Sequence, residues 1–231
     1  MVRRTYAIIV AAGNGYRFGS PLPKQFCMLG DMPVLGHTIG NLRSALPAGS
    51  KIVLVLHPDY FGTWRETAER HGCPREDVLA GGGASRAESV ANALDVIHPE
   101  ADSIVLIHDG VRPFVSGDII EGLYAALEKG AACAIPTVGL TDSIRETVAS
   151  GISHATDRSR FRAVQTPQAF QSDALVKAYR HASESGFERF TDDASVLEGY
   201  MPEADIRLTS GSPYNIKITN PLDLKIAEAL L

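Results

Sequence analysis

The run Ala11-Ala12-Gly13-Asn14-Gly15-Tyr16-Arg17-Phe18-Gly19, followed by Pro23-Lys24-Gln25, has the make-up of an anion-binding loop. Glycines behind a first strand let backbone N–H groups approach phosphate oxygens. Arg17 and Lys24 add two cations, which suits a triphosphate. A dinucleotide fingerprint G-x-G-x-x-G would need glycine where Phe18 stands, and the Gly-Lys-Ser/Thr of a Walker A loop is absent. Taken alone, G-x-G is equally compatible with a tight strand exit carrying solvated charges.

A second cluster is His108-Asp109-Gly110-Val111-Arg112-Pro113. An aspartate at the carboxyl end of an apolar strand is well placed to hold Mg²⁺, which takes one or two carboxylates together with substrate phosphates. Gly110 permits a sharp turn that would bring Arg112 to the same pocket; the plainer reading has Asp109 opening a turn. A third cluster, Gly81-Gly82-Gly83-Ala84-Ser85-Arg86-Ala87-Glu88-Ser89, sets three glycines before a helix start, a place where a flat base and an anion can meet backbone groups. Ser89 would bond a pyrimidine edge or cap the backbone. In Asn215-Ile216-Lys217-Ile218-Thr219 a lysine interrupts a strand-like run, and pattern alone points it to solvent from an edge strand. The histidines are scattered without H-E-x-x-H spacing and there is no G-x-S-x-G elbow, so protease and serine-hydrolase chemistry has no support.

These loops require strands to project them. Thr5–Ala12, Lys51–His57, Ser103–His108 and the weaker Ala131–Pro136 are continuous apolar runs, as a parallel sheet covered on both faces requires. Helical patterns fill the gaps. Val34–Ala45 follows Pro33, Arg86–Ile97 opens on a Ser85/Glu88 capping box, and Asp118–Lys129 stops at Gly130. The last helix runs from Asn220-Pro221 to Leu231. Trp64 lies in the amphipathic stretch Phe61–Arg70 and reads as packing. The alternation predicts an α/β, Rossmann-like three-layer sandwich with a mostly parallel sheet and ligands beyond the carboxyl ends of its strands. Thr137–Phe161 breaks the pattern and reads as a protruding β-arm. Such an arm cannot bury itself, so it predicts a homodimer.

The 231 residues suit a single domain. A net charge of −5 disfavours nucleic acid. No apolar run is long enough to span a membrane, and no secretory segment is legible. Three cysteines without metal spacing fit a reducing cytoplasm.

Eight motifs in order resemble the 2-C-methyl-D-erythritol 4-phosphate cytidylyltransferase family. They are Ala11-Ala12-Gly-x-Gly-x-Arg17, Pro23-Lys24-Gln25, Gly82-Gly83-x-x-Arg86-x-x-Ser89 and His108-Asp109-x-x-Arg112-Pro113. They continue with Thr156-Asp157-Arg158, Gln165-Thr166-Pro167-Gln168, Thr191-Asp192-Asp193-Ala194 and Asn215-Ile216-Lys217. The resemblance implies transfer of CMP from CTP to methylerythritol phosphate with release of pyrophosphate. It implies that Arg17, Lys24, Arg158 and Lys217 serve catalysis. Ala12, Gly13, Gly15, Gly83, Ser89 and Asp109 would hold CTP, and Asp109 would hold Mg²⁺. Arg112, Thr141, Arg158, Thr166 and Lys217 would hold the acceptor, with the arm crossing to the neighbouring subunit. Two positions depart from the pattern. Ala84 replaces a common acidic residue, and Gly110-Val111 stands where Ala-Ala or Ala-Val is usual, which is expected to loosen that loop. A ribitol 5-phosphate cytidylyltransferase shares most motifs, a hexose 1-phosphate nucleotidylyltransferase is more distant, and a non-catalytic nucleotide-binding module is the reading from another class. An acceptor phosphate is already an anionic nucleophile, so the chemistry needs charge neutralisation and positioning in place of a general base.

Overall fold

The computed structural model describes residues 3–13, 23–148, 151–187 and 190–231. In chain order, β1 (Thr5–Val10) is followed by the small antiparallel pair β2 (Met28–Leu29) and β3 (Met32–Pro33), then α1 (Val34–Ala45). Next come β4 (Lys51–Leu56), α2 (Phe61–Arg70), β5 (Val78–Gly81), α3 (Arg86–Ile97), β6 (Ile104–Asp109) and α4 (Gly117–Glu128). The second half runs β7 (Cys133–Gly139), β8 (Ile144–Thr147), β9 (Ser153–Thr156), β10 (Arg162–Val164), β11 (Gln168–Gln171) and α5 (Ser172–Ser185). It ends with α6 (Asp193–Tyr200), β12 (Ile206–Ser210) and α7 (Pro221–Glu228).

The apolar runs meet in one sheet. β5, β4, β1 and β6 lie side by side and parallel. β11 enters antiparallel between β6 and β7, β10 continues along β7, and β12 covers the other edge of β7 in parallel. The expected α/β, mostly parallel architecture is therefore the observed one. Side chains alternate across the sheet as the strand period demands. Ala7, Ile9, Ile52, Leu54, Leu56 and Leu106 face α1, α2 and α4, with Trp64 buried among them. Tyr6, Ile8, Val53, Val55, Val105 and Ile107 face α3, α5 and α6. Each fully buried aliphatic side chain stabilises the fold by ~1.5–3 kcal/mol.

Several expected boundaries shift. The last helix stops at Glu228, and the sheet claims β7 as far as Gly139, so the arm begins after it. The Ser85/Glu88 box is half formed. Ser85 Oγ accepts from Glu88 N at 3.0 Å, but the Glu88 carboxylate bonds Ala84 N at 2.8 Å rather than the N–H of the capping residue. The Gly110 turn is tied rather than loosened. Its N–H reaches Val10 O at 2.9 Å, and its carbonyl accepts from Thr38 Oγ1 at 3.1 Å.

Candidate active site

The chain leaves β1 towards β4 and β5, then returns to β6 on the opposite side of β1. In open α/β sheets such a reversal opens a crevice at the carboxyl ends of the two strands. The final register pair across it is Val10 with Asp109. A cleft of about 450 Å³ opens there. Ala11–Gly13 and Gly83–Ser85 form its walls, and Lys24, Arg86, Asp109 and Lys217 supply its charges.

Asp109 is the focus. Lys217 Nζ and Arg112 Nε reach its Oδ2 at 3.0 and 3.2 Å, while Arg86 Nε stands 3.5 Å from Oδ1. Burial alone would raise the Asp109 pKa. The charges of Arg86, Lys217 and Arg112 outweigh it and hold the carboxyl well below the usual carboxylate range. The site is thus an anion enclosed by three cations, with net positive charge directed at the cleft.

A directed hydrogen-bond chain supports this carboxylate from behind. The Arg112 carbonyl can only accept, so His108 Nε2–H donates to it, at 3.0 Å. His108 Nδ1 must then accept from Thr166 Oγ1 at 3.0 Å, and that hydroxyl accepts in turn from Asp109 N–H at 3.0 Å. The imidazole is neutral, since burial lowers its pKa to about 4. Asn215 Nδ2 donates to the Thr166 carbonyl at 2.8 Å, and Arg112 Nη1 donates to the Asn215 carbonyl at 2.8 Å.

Asn215–Thr219 is not a strand, contrary to the pattern. Buried Asn215 and Ile218 anchor it at either end of the turn, with Ile218 N bonded to Val111 O at 2.9 Å. Lys217 between them reaches Asp109 rather than pointing away into solvent. The lone lysine in an apolar run was the signal, but its direction depends on contacts far along the chain.

On the nucleotide side, Ala12 packs against the glycine turn. A Cβ added to Gly82 would lie 2.3 Å from Ala12 Cβ, so only glycine allows this approach. Ser89 is buried and braces the turn, accepting from Gly83 N at 3.0 Å and donating to Ser85 O at 2.8 Å. Gln25 Nε2 bonds the carbonyls of Ala11 and Gly13 at 2.6 and 3.2 Å, which fixes the strand exit beside Lys24.

The cleft thus brings together Ala12, Gly13, Lys24, Gly83, Ser89, Asp109 and Lys217, with Arg112 and Thr166 beneath. Gly15 and Arg17 fall outside the described residues. Thr141 and Arg158 are not in this cleft. They meet on the arm, where the Arg158 guanidinium donates to the Thr141 carbonyl, and Asp157 caps the turn that carries Arg158. Four further residues, to which the motifs assign no role, belong to the site. His57 and Gln25 line the cleft, and Arg86 joins Asp109 to buried Asp193. Arg86 and Asp193 both lie inside recognised motifs, but nothing in their spacing says that they pair.

The sequence matches the family model for 2-C-methyl-D-erythritol 4-phosphate cytidylyltransferase over residues 5–231. The chain belongs to that family. It is similar to the enzymes of that name from Porphyromonas gingivalis, at 41% identity over all of this chain and 99% of the relative, and from Bacteroides thetaiotaomicron, at 41% over 97% and 98%. Among solved structures, 4-diphosphocytidyl-2C-methyl-D-erythritol synthase from Anaerococcus prevotii superposes with a TM-score of 0.82 at 25% identity, covering 99% of this chain and 98% of that one. The cytidylyltransferase from Francisella tularensis gives 0.80 at 29% identity, covering 99% and 100%. The reaction implied by the motifs, cytidylyl transfer to methylerythritol phosphate, therefore stands. No helix among the described residues is long and apolar enough to cross a membrane.

Proposed function

We propose that this chain performs its cytidylyl transfer through a magnesium-assisted, charge-neutralising mechanism in the Asp109 cleft. The observation that carries this reading is one buried carboxylate under three cations at the reversal of strand order. Lys24 and Arg17 neutralise the triphosphate. Ala12, Gly13, Gly15 and Gly83 hold the nucleoside through backbone groups, with Ser89 bracing their turn. Arg112, Lys217, Thr141 and Arg158 hold the acceptor phosphate. Thr166 contributes through Asp109 and His108, because its hydroxyl is already engaged with both.

The donor set fits Mg²⁺. Asp109 Oδ2 carries two close cations, whereas the nearest cation to Oδ1 stands 3.5 Å away. Among the described residues no three His, Cys, Asp or Glu side chains gather as a metal site. The protein would therefore supply Oδ1, and phosphates and water the remaining ligands, as Mg²⁺ prefers. When bound, the ion supplies charge neutralisation at the triphosphate. With no proton to remove from the acceptor, the buried neutral His108 serves only to orient Asp109 and Arg112.

The arm is read as a dimer element that delivers Arg158 and Thr141 to the neighbouring subunit's cleft. Its described residues are mostly exposed, and Val148, Ile152 and Phe161 leave apolar surface uncovered. Among the described residues β8 and β9 pair only with each other, and an isolated two-stranded unit is marginal in water. A cytoplasmic setting accords with three cysteines that lack metal spacing.

The deciding experiment measures pyrophosphate release from CTP with methylerythritol 4-phosphate or ribitol 5-phosphate, each with Mg²⁺ and with chelator. Release only with methylerythritol phosphate, abolished by chelator, is expected. Turnover that survives chelation would remove the metal from this reading.

A further inference from the structure

Arg86 is the first residue of α3, where the helix dipole disfavours a cation, yet it is half-buried at the edge of the cleft. Two carboxylates hold it there. Its Nε stands 3.5 Å from Asp109 Oδ1, and its Nη1 stands 2.7 Å from Asp193 Oδ2. Asp193 is fully buried, and Tyr179 Oη donates to its other oxygen at 2.7 Å. The backbone around Asp193 is fixed independently. Asp192 caps α6, and Gln168 bonds both the Asp192 carboxylate, at 2.7 Å, and Ala194 N, at 2.9 Å. Asp193 lies behind Arg86 rather than on the wall of the cleft.

Withdrawing charge from water is costly unless it is paired, so the half-buried guanidinium of Arg86 is drawn to the two carboxylates beside it. The 2.7 Å contact to Asp193 outweighs the 3.5 Å contact to Asp109. Were Asp193 neutral, Asp109 Oδ1 would be the remaining anionic partner for Arg86. We propose that Asp193 is a positioning residue that draws Arg86 off Asp109 Oδ1 and so keeps that oxygen open to a divalent cation. This inference rests on the metal reading above.

The test titrates Mn²⁺ into the full-length protein with CTP and reads the free ion by electron paramagnetic resonance, without turnover. Asp193→Asn should weaken Mn²⁺ binding about tenfold, the scale of losing a group that orients a metal ligand. Arg86→Gln combined with Asp193→Asn should restore it, because no guanidinium remains to occupy Oδ1. Tyr179→Phe keeps the Asp193 charge and frees its second oxygen for Arg86, so binding should stay at or above the wild-type strength. This third variant carries the test if Asp193→Asn does not fold. Unchanged binding in Asp193→Asn, a double variant as weak as the single, or a loss in Tyr179→Phe would each overturn the inference. Wild-type protein with CTP that takes up no more Mn²⁺ than CTP alone would overturn the metal reading itself.

Discussion

At the scale of single residues, the site depends on how few groups carry its charge. Lys24 precedes Gln25, whose side-chain amide bonds the carbonyls of Ala11 and Gly13 at the exit of β1, so the backbone that carries Lys24 is tied to the wall of the cleft. Replacing it with alanine should lower kcat by on the order of 10²–10³, the effect of removing one pre-organised donor from a developing charge. Steady-state pyrophosphate release checks this, and near-normal turnover would exclude Lys24 from the mechanism. His108 gives a second prediction, on stability. It is neutral when folded, with its pKa lowered by burial from 6.5 to about 4. Between those values the unfolded chain binds a proton that the folded chain does not. Stability should therefore fall as pH drops from about 6.5 towards 4, by up to ~3 kcal/mol from this group. Asp109 acts in a lower window, since its depressed pKa is felt only below the ordinary carboxylate value. Urea unfolding across this range should show the slope in the wild type and a flatter profile in His108→Gln. A flat wild-type curve would contradict a buried neutral imidazole.

At the scale of elements, contact between two loops decides the shape of the cleft. Gly82→Ala would drive a methyl group into Ala12 and part the two loops that receive the nucleotide. A displacement of that size costs on the order of 10²-fold in kcat. The pair Gly82→Ala with Ala12→Gly should recover much of it, and failure to recover would mean that the turn matters for another reason. The elements themselves were largely legible. Short apolar, β-branched runs such as Ile104–Ile107 suit strands buried on both faces, and the Asn220-Pro221 start is written locally in a side-chain cap and a fixed φ. What is set from a distance is not written in local pattern. Asn215–Thr219 has strand composition, yet Gln165, Thr166 and Val111 hold it through side-chain amides and single backbone bonds instead of a ladder. Glu88 had two N–H groups within reach, and local spacing could not choose between Ser85 and Ala84. Asp109 and Arg112 were visible in the residues and Lys217 through the family resemblance, but the bridge from Arg86 to Asp193 exists only once α3 and α6 pack on the same face of the sheet.

At the scale of the whole molecule, the proposed acceptor grip is split. The cleft holds Asp109 and Lys217, while Thr141 and Arg158 sit together on the arm. If the arm serves a second subunit, an inactive Arg158→Ala protein mixed with an inactive Lys24→Ala protein should regain activity. Random pairing would form one intact cleft in each mixed dimer, so about a quarter of wild-type turnover is expected by mass action on equal amounts. No recovery after subunit exchange, verified by sizing the mixed species, would mean that each arm returns to its own cleft.

The arm leaves the sheet at Gly139 and rejoins it at Arg162, and these two residues are direct partners across β7 and β10. Its entrance and exit are therefore clamped side by side. Everything between them is a closed excursion whose length and side chains leave the register of the central strands unchanged. Such an insertion can drift, lengthen or be exchanged between relatives while the nucleotide half stays intact. A lineage could thus acquire a new acceptor preference by rewriting one hairpin, with the chemistry of the triphosphate inherited whole.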